Sequence, residues 1–130
     1  MNWENLPSTN TPLNATNLTK ITDSGSNANG NYIKFQDGTM ICYKSVSSAV
    51  EITTAWGSLY EGSLNLGSWP ATFISAPEVS ITNRGIPGAM IESFKTIPTT
   101  TSAGEVYLVR PTSVTLTFTL SVIAIGRWKA

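Results

Sequence analysis

The 130-residue chain contains no histidine. Ser-His-Asp and Cys-His catalysis are therefore closed to it, as are most zinc sites. Carboxylates are available at Asp23, Asp37, Glu51, Glu61, Glu78, Glu92 and Glu105. Glycoside hydrolysis needs two of them about 5–10 Å apart in a cleft, one with a raised pKa. No spacing here singles out such a pair, and solvated charges on strand edges are the ordinary reading. The glycines are scattered and no Gly-Lys-Ser/Thr follows them, so no phosphate loop is present. Cys42 is the single cysteine; it cannot form an internal disulfide and reads as a buried, inert thiol.

The chemistry left open is non-covalent. Arg84 follows Thr82-Asn83 and Arg110 precedes Pro111, each at the end of an expected strand. Strand-end loops are where binding residues usually sit. A guanidinium is a rigid fork of donors that matches vicinal hydroxyls or an acidic sugar. An aromatic face can stack on the apolar face of a sugar ring, and Tyr107 and Trp56 are the candidates for that role. The expected ligand site is therefore Arg84 or Arg110 with Tyr107 or Trp56. The plain alternative is a surface ion pair of these arginines with Glu92 or Glu105. Trp69 and Trp128 read as core or interface anchors, whereas Trp56 and Tyr60 fit either role.

Strands must position these groups. Candidates run over 31–36, 39–47, 50–60, 78–84, 89–96, 105–110 and 113–128. Turn residues separate several of them: Ile86-Pro87-Gly88, Thr99 to Gly104, and Pro111-Thr112. Tyr32-Ile33-Lys34-Phe35 and Met40-Ile41-Cys42-Tyr43 flank Gln36-Asp37-Gly38, which predicts a tight hairpin. In the last strand Val114, Leu116, Phe118, Leu120 and Val122 alternate with Thr115, Thr117 and Thr119. That period of two predicts one core face and one hydroxyl-bearing face. Ile123 and Ile125 then turn the outer face apolar, and either another chain or a loop of this one should cover them. Many short strands with Gly/Pro turns predict an all-β fold, an antiparallel β-sandwich.

Residues 1–29 differ and read as an N-terminal arm, with 30–130 as the sandwich domain. Thr11 with Pro12 could start a short helix over Leu13, Leu18 and Ile21. Ser24 to Gly30 reads as a flexible connector. Asn14-Ala15-Thr16 and Asn17-Leu18-Thr19 match the glycosylation pattern, which arises easily in an Asn/Thr-rich arm.

Composition agrees with a hydrogen-bonding surface that carries little charge. Charged residues make up 12% and the formal net charge is +0. Roughly a third of the residues are Ser, Thr or Asn, well above ordinary usage. Without a basic stripe nucleic acid is not an expected partner. No apolar run approaches the roughly 20 residues of a bilayer span, so no membrane insertion is expected. No secretory signal is visible, and no cofactor is expected.

Several of these segments resemble the C-terminal domains of bacteriophage tail fibres. Asn29 to Cys42 fits the pattern N-G-x-Y-I-x-F-x-D-G-T-x-I-C found in their entry hairpin. Trp69 to Val79 fits W-x-A-x-F-x-x-A-P-x-V, and Ile123 to Lys129 is similar to their final strand. Ala55 to Tyr60 resembles a recurrent stretch of the same family. Trp3-Glu4-Asn5 with Thr11 to Leu18 is similar to a segment of phage tail and baseplate proteins. The resemblance implies an H-type lectin-like sandwich, a homotrimer, and a place on the virion tail joined to the rest of a fibre or baseplate. It implies a receptor-binding domain that adheres to a bacterial cell-surface carbohydrate and is not an enzyme. The alternative is a trimerisation tip with no ligand of its own. In H-type lectins the loop before the last strand carries an aromatic at the sugar site; here Arg110 and Pro111 occupy that place, and Ala89 falls near the place of the family's sugar-binding arginine.

Overall fold

The computed structural model describes residues 21–85 and 88–130. The two glycosylation patterns, Trp3 and the expected short helix up to Leu18 lie outside the described residues; Ile21, the last residue of that helix's stripe, is in a strand instead. Among the described residues the fold is all-β, with two antiparallel sheets and no helix. The strands are β1 (Ile21–Asn27), β2 (Gly30–Phe35), β3 (Thr39–Ile52), β4 (Thr54–Trp56), β5 (Leu59–Asn65), β6 (Glu78–Asn83), β7 (Met90–Thr96), β8 (Glu105–Arg110) and β9 (Val114–Arg127). One sheet has the order β1-β2-β3-β9-β6 and the other β4-β5-β8-β7.

The β2–β3 hairpin forms at the expected turn. Gly38 N–H donates to the Phe35 carbonyl at 3.1 Å, and Thr39 N–H donates to Asp37 Oδ1 at 2.9 Å. Gly38 has φ 99°, a region open to glycine at no steric cost. Its turn is clamped by the chain's tail. Arg127 Nη2 donates to the Asp37 carbonyl at 2.7 Å, and Trp128 N–H donates to the Gly38 carbonyl at 2.9 Å. Trp128 Nε1 donates to the Phe35 carbonyl at 2.9 Å, so this indole is an anchor. Trp69 is a second anchor, buried, bonded through Nε1 to the Thr99 carbonyl at 3.0 Å and set edge-on to Phe73.

The core lies between the sheets. β3 contributes Met40, Cys42, Val50 and Ile52; β9 contributes Phe118, Leu120, Val122 and Ala124. Leu64, Val106 and Leu108 face them from the other sheet, and Leu66, Trp69, Phe73 and Ala103 fill in from loops. The alternation read in the last strand holds: Phe118, Leu120 and Val122 are fully buried, Val114 and Leu116 are half-buried, and Thr115 and Thr117 are exposed. Burial pushes the Cys42 thiol up to about 11, which suits an inert core group.

Two elements differ from the sequence expectation. The Ser24–Gly30 connector is instead largely strand, because β1 pairs along the whole of β2. Its small residues have a packing reason: Tyr32 lies directly against Gly25, where an added Cβ would sit 3.0 Å from the phenol oxygen. Asn27 then ties the hairpin end to the Pro70 carbonyl at 2.9 Å. The expected strand 50–60 is broken at Thr53 and again by a Gly57-Ser58 turn, giving β3, β4 and β5. The chain changes sheet here, and β5 packs so closely on β3 that a Cβ at Gly62 would collide with the Glu51 carbonyl. Glu61-Gly62-Ser63 carries no apolar alternation and was outside any expected strand, yet it lies in β5.

Candidate functional site: an arginine-rimmed cup

Cross-strand register assigns each expected site residue to a face. On the four-stranded sheet, Tyr60 pairs with Arg110, Glu61 with Val109, and Ser63 with Tyr107. Trp56 pairs with Leu59, and Met90 with Val109. Side chains alternate between faces. Trp56, Leu59, Met90, Val109 and Tyr107 therefore share the outer face, while Arg110 is on the side of Tyr60 and Leu108, at the end of the sheet.

Leu59, Gly88, Ala89, Met90, Val109, Arg110 and Pro111 surround a shallow cup of about 430 Å³. Val109 is 2% exposed although it stands on the outer face and outside the core cluster, so it is the cup's floor. Met90 is 63% exposed at the rim, and Trp56, 46% exposed, stands beside Leu59. The Arg110 guanidinium borders Gly88 of the β6–β7 loop. Its Nε is buried with no acceptor among the described residues. A buried donor without a partner costs about 1–3 kcal/mol, and an incoming oxygen would relieve it.

The four expected residues are not gathered into one contact. Tyr107 is four residues along β5 from the Trp56–Leu59 pair and on the strand's other side. Lys95 Nζ lies 5.9 Å from the Tyr107 ring centre and 3.6 Å from Glu105, which also accepts from Ser63 at 2.6 Å. Tyr107 thus belongs to a Lys95–Glu105–Ser63 patch. Arg84 is exposed at the end of β6, on the other sheet, where its N–H donates to the Thr119 carbonyl at 2.8 Å. The loop that Arg84 begins does return to Arg110 through Gly88. The ion pairs weighed against ligand binding do not form: Glu105 takes Lys95, and Glu92 accepts from Ser93 at 2.8 Å. Sequence reading missed Leu59, Met90 and Val109. Their grouping depends on register between three strands, and no local pattern in the chain encodes it.

No family model and no curated protein matches the chain in sequence. Solved structures do match in fold. An N-truncated R1-type pyocin tail fibre superposes with a TM-score of 0.56 at 18% identity, covering 80% of this chain and 84% of that one. An R1 pyocin fibre of P. aeruginosa comprising C-terminal residues 323–701 gives 0.55 at 17% identity, covering 85% of this chain and 30% of that longer one. At this level of identity the shared property is the fold, and this chain has the two-sheet β-fold found in those pyocin fibres.

Proposed function

We propose that this chain is the receptor-binding domain of a phage-type tail fibre, adhering non-covalently to a bacterial cell-surface glycan. The observation that carries the reading is the fold shared with an R1-type pyocin tail fibre over 80% of the chain. The site's chemistry suits it: a guanidinium with a donor to spare, an apolar floor, and an exposed indole for stacking on a sugar ring. The domain acts as an adhesin and not as an enzyme, on the tail of a phage or of a phage-derived particle, attached to the rest of its fibre.

It acts as a homotrimer. On the outer face of the five-stranded sheet, Ile33 pairs with Ile41 and Ile41 with Ile125, while Tyr43 pairs with Ile123. Tyr43, Ile123 and Ile125 are 43%, 46% and 50% exposed, so no described part of this chain covers them. A contiguous apolar patch of this kind suits an interface between copies. Three weak sites on one trimer, and several fibres on one particle, would multiply avidity without new contacts. The test is adhesion of the full chain to a panel of bacterial cells. Arg110→Gln and Trp56→Ala variants that fold and assemble normally should lose at least tenfold in adhesion. Adhesion equal to the parent in both would place the site away from the cup.

A further inference from the structure

A second concavity lies on the far side of β3. β2 pairs with β3 only from Asn31 opposite Tyr43 to Lys34 opposite Met40. From Lys44 onward that edge of β3 has no strand partner among the described residues. The β1–β2 turn and the Asn65–Gly67 bend stand on either side of the bare edge. They enclose a groove of about 500 Å³ lined by Asn27, Asn29, Asn31, Lys44, Ser45, Ser47 and Asn65, among others. No Asp or Glu lines it.

Part of this polar lining has structural work. Asn27 bonds Pro70, and its Oδ1 accepts from Asn29 N–H at 2.9 Å. Asn65 Oδ1 accepts from Gly67 N–H at 2.7 Å. These are ordinary turn contacts. Among the described residues they leave the amide nitrogen of Asn65 uncommitted. Among the described residues no bond engages the side-chain amides of Asn29 or Asn31. The Ser45–Ser47 edge adds backbone N–H and C=O groups, which an unpaired strand edge presents to its surroundings.

Lys44 sets the charge. Its Nζ donates to the Ser68 carbonyl at 2.8 Å and lies 5.7 Å from the centre of the Trp69 ring. An ammonium has three N–H donors, so two remain. Partial burial lowers its pKa below the ordinary value, the expected effect of withdrawing a cation from water. A nearby anion would offset that cost. The groove therefore combines neutral amides and backbone groups, which suit hydroxyls, with one half-buried cation and no competing acid.

We propose that this groove is a saccharide subsite selective for acidic glycans, in which asparagine amides and the bare edge of β3 bind hydroxyls and Lys44 binds a carboxylate or phosphate substituent. The inference rests on the adhesin reading and deepens it, because it names a glycan class and a place distinct from the cup. The probe is an array of bacterial surface polysaccharides, acidic and neutral, screened with the intact chain. Lys44→Met removes the cation at similar volume. Asn31→Asp is isosteric and puts a negative charge into the groove. Thermal unfolding of each variant serves as the fold control.

The expected result is that the parent binds acidic polysaccharides and that both variants lose at least tenfold on them with an unchanged unfolding midpoint. If the parent binds acidic polysaccharides and both folded variants bind them equally well, the inference is wrong and the adhesin reading stands. If the parent binds only neutral glycans, the selectivity is likewise wrong. If the parent binds no glycan at all, the adhesin reading itself fails and takes this inference with it.

Discussion

The two halves of the β3–β9 ribbon share one inner face and differ completely on the outer one. In the half from Thr39 to Tyr43 against Ile123 to Arg127, β2 and β6 flank the pair, and the outer side chains are Ile41, Tyr43, Ile123 and Ile125. In the half from Ser45 to Ile52 against Val114 to Ser121, both edges are largely bare among the described residues. The outer side chains there are Ser45, Ser47, Ala49 and Glu51 opposite Ser121, Thr119, Thr117 and Thr115. The inner face is continuous on β9 from Phe118 to Ala124; on β3 Met40 and Cys42 at one end and Val50 and Ile52 at the other are buried, with half-buried Lys44 and Val46 and exposed Ser48 between them. Burial on the inner face holds the fold together. On the proposed trimer, the change of the outer face from isoleucines to hydroxyls would separate the surface that meets another copy from the surface that meets water.

Breaking the inner face should have the largest effect. Phe118 is fully buried at the centre of β9. Phe118→Ala should cost roughly 3–5 kcal/mol through lost burial and the cavity left behind. Denaturant titration measures this, and a loss below about 1 kcal/mol would show that the inner face does not carry the stability assigned to it.

The apolar outer half should respond in assembly more than in folding. The double variant Ile123→Asp with Ile125→Asp places two carboxylates on the patch opposite Tyr43 and Ile41. Light scattering at tens of micromolar should give the mass of three chains for the parent and of one chain for the variant, with the far-ultraviolet β signal retained. A parent of one-chain mass would remove the trimer.

The hydroxyl half should respond least. Thr117 is exposed opposite Ala49, in the part of the ribbon without outer partners. Thr117→Ala should change stability by no more than about 0.5 kcal/mol and leave the oligomeric mass unchanged. An effect as large as that of the isoleucine pair would mean that the two outer faces do the same job.

Where structure is local, it was legible in the sequence. The Asp37-Gly38 turn shows because its chemistry is confined to adjacent residues, and the period of two in β9 shows because one face is buried along its length. β1 was hidden because its Gly25 is fitted to the ring of Tyr32, and propensity does not report on a neighbour's ring. The sheet change at Thr53 was hidden because Val50 to Tyr60 looks like one continuous strand when only side-chain types are read. Arg110 and Trp56 stood out as candidates by residue type. Their separation from Tyr107 and Arg84 was not, since it follows from which strand pairs with which.

The central claim is glycan adhesion, and the most direct measurement is retention of the intact chain on bacterial cells before and after mild periodate treatment, which cleaves the vicinal diols of surface sugars. The account predicts that at least one strain in a broad panel retains the chain, that periodate abolishes retention, and that prior protease treatment of the cells does not. Retention that survives periodate but is lost to protease would contradict it, because the receptor would then be a protein.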